Sequence, residues 1–193
     1  MEIINMDLKV DKPSSLLMDI PYIASPNCDD RPVEDDINLI VLHGISLPAG
    51  QFGGPYVEHF FTNRLDHTAD PGFDEIKDMR VSAHLFIRRD GSIIQFVPFQ
   101  KRAWHAGKSQ FEGREACNDF SIGIELEGTD EIEYTDSQYQ QLGMVVGAIL
   151  AAYPSISRDR ITGHSDIAPG RKTDPGSAFD WTKLAHVLDE RLG

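Results

Sequence analysis

The run Asn38-Leu-Ile-Val-Leu-His43 leaves this chain few options. Its aliphatic residues fall on both sides of an extended backbone, which predicts an inner strand covered by protein on both faces. His43 then stands at the carboxyl end of that strand, on the face of Leu39 and Val41. Ligands gather outside the carboxyl ends of strands in α/β sheets. Taken alone, His43 reads equally as a core histidine donating to a neighbouring carbonyl.

A second strand is written in Ser121-Ile-Gly-Ile-Glu-Leu-Glu127. Ile122, Ile124 and Leu126 share one face; Gly123, Glu125 and Glu127 share the other. Two carboxylates together fit a solvated face, whereas the glycine beside Glu125 leaves room above the sheet and fits a cleft. Residues 81–88 and 92–97 predict two more strands, with His84 inside the first and a hairpin at Arg89-Asp90-Gly91. Thr135-Asp-Ser-Gln138 matches a capping box. Tyr139, Leu142, Val146, Ile149 and Tyr153 then step by three and four along an amphipathic helix that ends before Pro154. Asp180 can cap a last helix with Trp181, Leu184, Leu188 and Leu192 facing inward.

Between these elements lie two irregular regions. Residues 1–36 carry Pro13, Pro21, Pro26 and Pro32 and predict a wrapping segment with one short helix near 15–20. Residues 46–79 predict a long loop with a short helix over 55–63, Pro55 taking its first position. A loop of that length in a compact domain is usually functional, here as a lid or specificity loop. Without repeats or linkers, the 193 residues read as a single α/β domain. A net charge of −13 and a pI near 4.8 argue against a nucleic-acid or anionic-membrane partner, since both require a basic surface. No apolar run is long enough for a membrane span. The first ten residues lack a basic region followed by an apolar core, so the expectation is a cytoplasmic protein, with a monomer favoured. Cys28 and Cys117 are expected as free thiols rather than one long-range disulfide.

The stretch Ile161-Thr-Gly-His164-Ser-Asp166-Ile-Ala-Pro169-Gly-Arg171-Lys172-Thr-Asp174-Pro175-Gly176-Ser177 concentrates polar chemistry between bend-forming residues. Such punctuation predicts a loop with fixed bends rather than a helix or strand; the plainer alternative is a solvated turn. His164 and Asp174 are ordinary zinc-ligand types, and His43 brings the set to three. Three protein ligands with one open position make a catalytic rather than a structural zinc site. Glu125 could then move a proton from water to a leaving amine, and Lys172 could stabilise an oxyanion, unless it pairs with Asp166.

Longer motifs add a resemblance. Leu-His43-Gly-Ile-Ser-Leu-Pro, Arg80-Val-Ser-Ala-His84, Lys101-Arg-Ala-Trp104-His-Ala-Gly, Asn118-Asp-Phe-Ser-Ile-Gly-Ile-Glu125 and Thr162-Gly-His164 through Lys172-Thr-Asp174-Pro-Gly occur in order. Together they resemble the type-2 amidase and peptidoglycan-recognition-protein family, in particular the 1,6-anhydro-N-acetylmuramyl-L-alanine amidases of bacterial cell-wall recycling. That resemblance implies a mixed central β-sheet flanked by helices. It implies zinc on His43, His164 and Asp174, with Glu125 and Lys172 catalytic and Arg80 and Trp104 lining the substrate groove. The implied substrate is a small muropeptide, cut between the lactyl group of anhydro-N-acetylmuramic acid and L-alanine. The implied consequence is a lower level of muropeptide inducers of β-lactamase. Action on intact murein and a non-catalytic muropeptide-binding module are the alternatives; the full ligand set with Glu125 and Lys172 disfavours the module. Two positions depart from the family pattern. Gly44 replaces asparagine, and Ala116 replaces an arginine expected to meet the stem-peptide carboxylate, with Arg114 as its candidate substitute. His84 and His105 are expected as supporting histidines, and His59, His67 and His186 at the surface.

Overall fold

The computed structural model describes residues 8–193. Residues 1–7, the greater part of the stretch searched for an export leader and the start of the wrapping segment, therefore lie outside the described residues. At the centre is a five-stranded mixed sheet. Its strands are β1 (Leu39–Ile45), β2 (Leu85–Ile87), β3 (Ile93–Gln95), β4 (Ser121–Glu127) and β5 (Ile161–Gly163). They lie in the order β5-β1-β4-β2-β3. The first four in that order run parallel, and β3 returns antiparallel to β2 through the expected turn. There Asp90 Oδ1 accepts from Ser92 N at 2.8 Å, and Gly91 takes φ +87°, a left-handed value that favours glycine. The hairpin ladder covers less than the two runs expected, and His84 lies just before β2.

The helices are α1 (Tyr56–Phe61), α2 (Asp136–Ala152), the single turn α3 (His164–Ile167) and α4 (Trp181–Leu192). The capping box forms: Thr135 Oγ1 accepts from Gln138 N at 3.2 Å, and Gln138 Oε1 accepts from Thr135 N at 3.0 Å. Buried Gln138 also donates to Glu127 O at 2.9 Å, fixing the start of α2 over the end of β4. One face of α2 packs Tyr139, Leu142, Val146 and Ile149 against Ile40, Leu42, Ile122, Ile124 and Leu126 of the sheet. In α4, Leu184 and Leu188 turn inward as expected, joined by Val187. Trp181 and Leu192 do not: they remain 39% and 42% exposed at the two ends of the helix. Trp181 stacks edge-on against Phe179 instead, with ring centroids 4.8 Å apart.

Three further expectations are corrected. Residues 15–20 form no helix; Val10–Asp11 and Leu16–Leu17 pair antiparallel, and Ser15 and Asp19 adopt φ values of 54° and 60° that a right-handed helix excludes. The wrapping course itself is seen over the described part, where Cys28–Asp30 pairs with Lys101–Ala103. Pro55 occupies the N-cap of α1 rather than its first turn. The stretch 161–177 is not all loop: residues 161–163 complete the sheet against β1, and α3 follows at once. Asp166 makes this possible, its Oδ2 accepting from Gly163 N at 2.9 Å and Thr162 Oγ1 at 3.0 Å. Both cysteines are free.

Candidate metal centre

Because β1, β4 and β5 are parallel, their carboxyl ends meet at one edge of the sheet. His43 lies near the end of β1, with Glu125 of β4 in register beside it. His164 follows directly on β5, and Asp174 returns from the loop after α3, where Ser165 N donates to Asp174 O at 2.9 Å. Tyr134 holds the next residue, its OH donating to Pro175 O at 2.9 Å.

The three side chains converge. His43 Nδ1 lies 3.0 Å from His164 Nδ1 and 3.1 Å from Asp174 Oδ2, and His164 Nδ1 lies 3.0 Å from the same oxygen. A tetrahedral ion with bonds of about 2.0–2.1 Å spaces its ligands by roughly 3.3 Å, close to this triangle. Hydrogen bonding points the same way. His164 Nε2 faces Ala106 O at 3.2 Å and acts as donor there. His43 Nε2 faces His105 Nδ1 at 2.9 Å. The His164 Nε2 proton is thus directed outward, and its Nδ1 lone pair, the His43 Nδ1 and a carboxylate oxygen face one point. Three acceptors so arranged suit a divalent cation. Burial also lowers the His43 pKa to about 4, so its ring is neutral at pH 7. Burial pushes Asp174 upward, but the adjoining imidazoles prevail and hold it below the usual carboxylate range.

Glu125 is buried, and its Oε2 has no hydrogen-bond partner among the described residues. Burial first, then the charge of Asp174, raise its pKa well above the usual range, against the opposing charge of Lys172. Glu127, on the same strand face, is used differently: its Oε1 accepts from Gly53 N at 2.6 Å and its Oε2 from Arg89 N at 3.0 Å. The solvated-face reading of this pair is thus overturned, since every residue of β4 is buried. The space above Gly123 is not open either, because the His105 ring fills it.

A cavity of about 360 Å³ opens over the three candidate ligands and Glu125, and Lys172, Arg80 and Trp104 all line it. Lys172 is exposed there and makes no ion pair with Asp166, which is engaged by Thr162 and Gly163. Trp104 Nε1 donates to Asp29 Oδ1 at 3.1 Å, so the wrapping segment steadies one cavity wall. Phe60, Phe61 and Met79 of the 46–79 region form another part. Arg114 does not reach the cavity; it pairs with Asp36 and lies over the Phe120 ring at 3.9 Å. Arg171, which sequence reasoning passed over, lines it instead and donates to Ala106 O at 2.6 Å. Its signal was adjacency to Lys172, which says nothing about direction. Among the other histidines, His67 and His186 are exposed, while His59 is half-buried against Tyr56.

A family profile described as N-acetylmuramoyl-L-alanine amidase matches residues 33–177. The chain belongs to the N-acetylmuramoyl-L-alanine amidase family. The 1,6-anhydro-N-acetylmuramyl-L-alanine amidase AmpD of Escherichia coli K12 is 60% identical to this amidase over 168 residues, covering 87% of this chain and 91% of that protein. A crystal structure of a selenomethionine AmpD derivative superposes with a TM-score of 0.88 at 53% identity, covering 91% of this chain and 97% of that one. AmpDh3 from Pseudomonas aeruginosa, solved in complex with an anhydromuramic pentapeptide, matches at a TM-score of 0.58 and 29% identity, covering 81% of this chain and 61% of that one. The mixed sheet flanked by helices is therefore the type-2 amidase fold.

Proposed function

We propose that this amidase hydrolyses the bond between the lactyl group of 1,6-anhydro-N-acetylmuramic acid and the L-alanine of a soluble muropeptide, with zinc held by His43, His164 and Asp174. The observation that carries the reading is the ligand triangle together with the unpartnered Oε2 of Glu125, both at one cavity. Zinc, when bound, supplies Lewis-acid polarisation and acidifies water near neutral pH. Glu125 Oε2 takes the proton of the attacking water and delivers it to the departing alanine nitrogen. Its raised proton affinity suits both halves of that transfer. The Lys172 ammonium faces the cavity free of Asp166 and stabilises the negative oxygen of the tetrahedral carbon. Trp104 and Arg80 form walls against which the sugar and peptide are held.

The relatives named for 1,6-anhydro substrates support the choice of sugar. The place of action we propose is the cytoplasm, in peptidoglycan recycling, where turnover would lower muropeptide inducers of β-lactamase. Among the described residues no helix is long and apolar enough to cross a membrane. The test offers metal-stripped and zinc-reconstituted protein an anhydro-muropeptide, its reduced non-anhydro counterpart and intact sacculi, with products followed by mass spectrometry. The expected result is zinc-dependent release of peptide from the anhydro substrate. Full turnover in metal-free protein would refute the zinc mechanism, and preferential digestion of sacculi would reassign the substrate.

A further inference from the structure

His43 presents its second ring nitrogen not to a carboxylate or carbonyl, the usual partners of a ligating histidine, but to another imidazole. The two rings meet edge-on, with centroids 5.0 Å apart and planes at 85°. His105 is itself held closely. Its Nε2 lies 3.2 Å from Ser121 Oγ. Its backbone N and that of Ala106 both donate to Asn118 Oδ1, at 3.1 and 2.8 Å. Gly123 supplies the seat: a Cβ at that position would come within 2.5 Å of His105 Cγ.

An imidazole nitrogen can donate or accept, so this contact has two arrangements. In the first, His43 Nε2–H donates to His105 Nδ1, His105 Nε2–H donates to Ser121 Oγ, and His43 Nδ1 is left as a lone pair. In the second, His105 Nδ1–H donates to His43 Nε2. The His43 proton then sits on Nδ1, between His164 Nδ1 and Asp174 Oδ2, in the place a cation would occupy. Ser121 Oγ accepts in the first arrangement and donates in the second, so it holds the His105 ring in either; the reading of His43 Nδ1 as a metal ligand selects the first.

We propose that His105 is the positioning residue that fixes the tautomer and ring orientation of His43, with Ser121 and Gly123 fixing His105 in turn. The proposal rests on the reading of His43 as a metal ligand. A residue that merely filled space behind His43 would be replaceable by any ring of similar size. A tautomer-setting residue requires an acceptor atom at the Nδ1 position.

Two variants separate these roles. His105→Asn keeps an amide oxygen near the place of Nδ1, whereas His105→Phe keeps a ring and removes the acceptor. Zinc affinity, measured by competition with a chromophoric chelator, should stay within a few-fold of wild type for His105→Asn. It should weaken about 10–100-fold for His105→Phe. Nitrogen NMR of the zinc-loaded wild-type protein should place the His105 proton on Nε2 and leave its Nδ1 unprotonated. Should His105→Phe fail to fold, that NMR measurement and a few-fold loss of affinity in Ser121→Ala carry the test. Wild-type zinc affinity in His105→Phe, equal weakening in both His105 variants, or a His105 proton on Nδ1 in the zinc-loaded protein would each overturn the proposal. A wild-type protein that binds no zinc would overturn the metal reading as well; tight wild-type binding with an unaffected Phe variant would overturn this inference alone.

Discussion

On one face of the central sheet, Ile40, Leu42, Ile122, Ile124 and Leu126 pack into the apolar sides of α2 and α4. On the other, the alternate residues of the same two strands include His43, Ser121, Gly123, Glu125 and Glu127, and they are covered by loops and short turns. Both sets are buried. The difference lies in what covers them. A regular helix has its backbone polar groups engaged internally and can offer a strand only side chains. A loop brings free carbonyls, amide hydrogens and charged ends, so it can satisfy buried polar groups. Gly53 N and Arg89 N do this for Glu127, and Ala106 O does it for His164. Apolar packing persists on the loop side as two separate clusters, one around Phe61, Phe73 and Phe96 and one around Leu39, Val41 and Phe120. The candidate metal-binding group and cavity occupy that same loop-covered face. One side of the sheet is thus covered by regular helices and the other carries the candidate site, one residue apart in the chain.

Adjacent substitutions in β4 test that division most severely. Glu125→Ala should lower kcat by about 10²–10⁴-fold, the range for a lost acid–base group. Zinc content should persist and thermal stability should not fall, because an unpartnered buried carboxyl is removed. Wild-type turnover would strip Glu125 of its proposed role. Its neighbour on the helix face should behave oppositely. Ile124→Ala should cost about 2–5 kcal/mol in a urea titration while leaving kcat per folded molecule unchanged. A catalytic defect larger than the unfolded fraction explains would show that the two faces are coupled.

Lys172→Ala should lower kcat by about 10²–10³-fold with little change in KM or in the unfolding midpoint, since the side chain is exposed at the cavity. A pure KM effect would contradict the oxyanion role. Acid should expose the loop-covered face more gently. Burial, then the nearby Arg31 charge, lower the His84 pKa to about 3 from an ordinary 6.5. Between those values the unfolded chain binds the proton and the folded one does not. Stability from His84 is therefore complete above pH 6.5 and declines as pH falls toward 3. The decline is at most about 1.4 kcal/mol per pH unit for one group. His84→Asn should flatten the fall in urea midpoint between pH 7 and 5; an unchanged slope would remove His84 as its source. The smallest effect belongs to the helix side, where Thr135→Ala should cost about 1 kcal/mol through loss of the cap, with no kinetic change.

Much of this was legible in the order of residues because it is local. The alternation of Ser121–Glu127 assigned each side chain to its correct face, and the capping box at Thr135 and Gln138 marked the start of α2 to the residue. The motifs around His43, His164 and Asp174 named three candidate ligands that the fold brings together. Local pattern failed where several segments compete for one place. Leu192 has the right helical spacing but lies at the end of α4 and stays exposed. Residues 161–163 carry the glycine and polar signals of a loop, yet β1 offers an open edge, and they pair with it. Arg114 stood near the expected arginine in sequence but turned to Asp36.

By itself, then, the chain determined the strand and helix periods, the turn and cap chemistry, and the residue types able to bind a cation. Tertiary structure alone brought His43 within 3.0 Å of a histidine 121 residues away, buried Glu125 without a partner, and set His105 over Gly123. The physical reason is one of range. Periodicity and capping depend on neighbours within a few residues, whereas burial, proton affinity and metal geometry depend on every segment that excludes water from the same point.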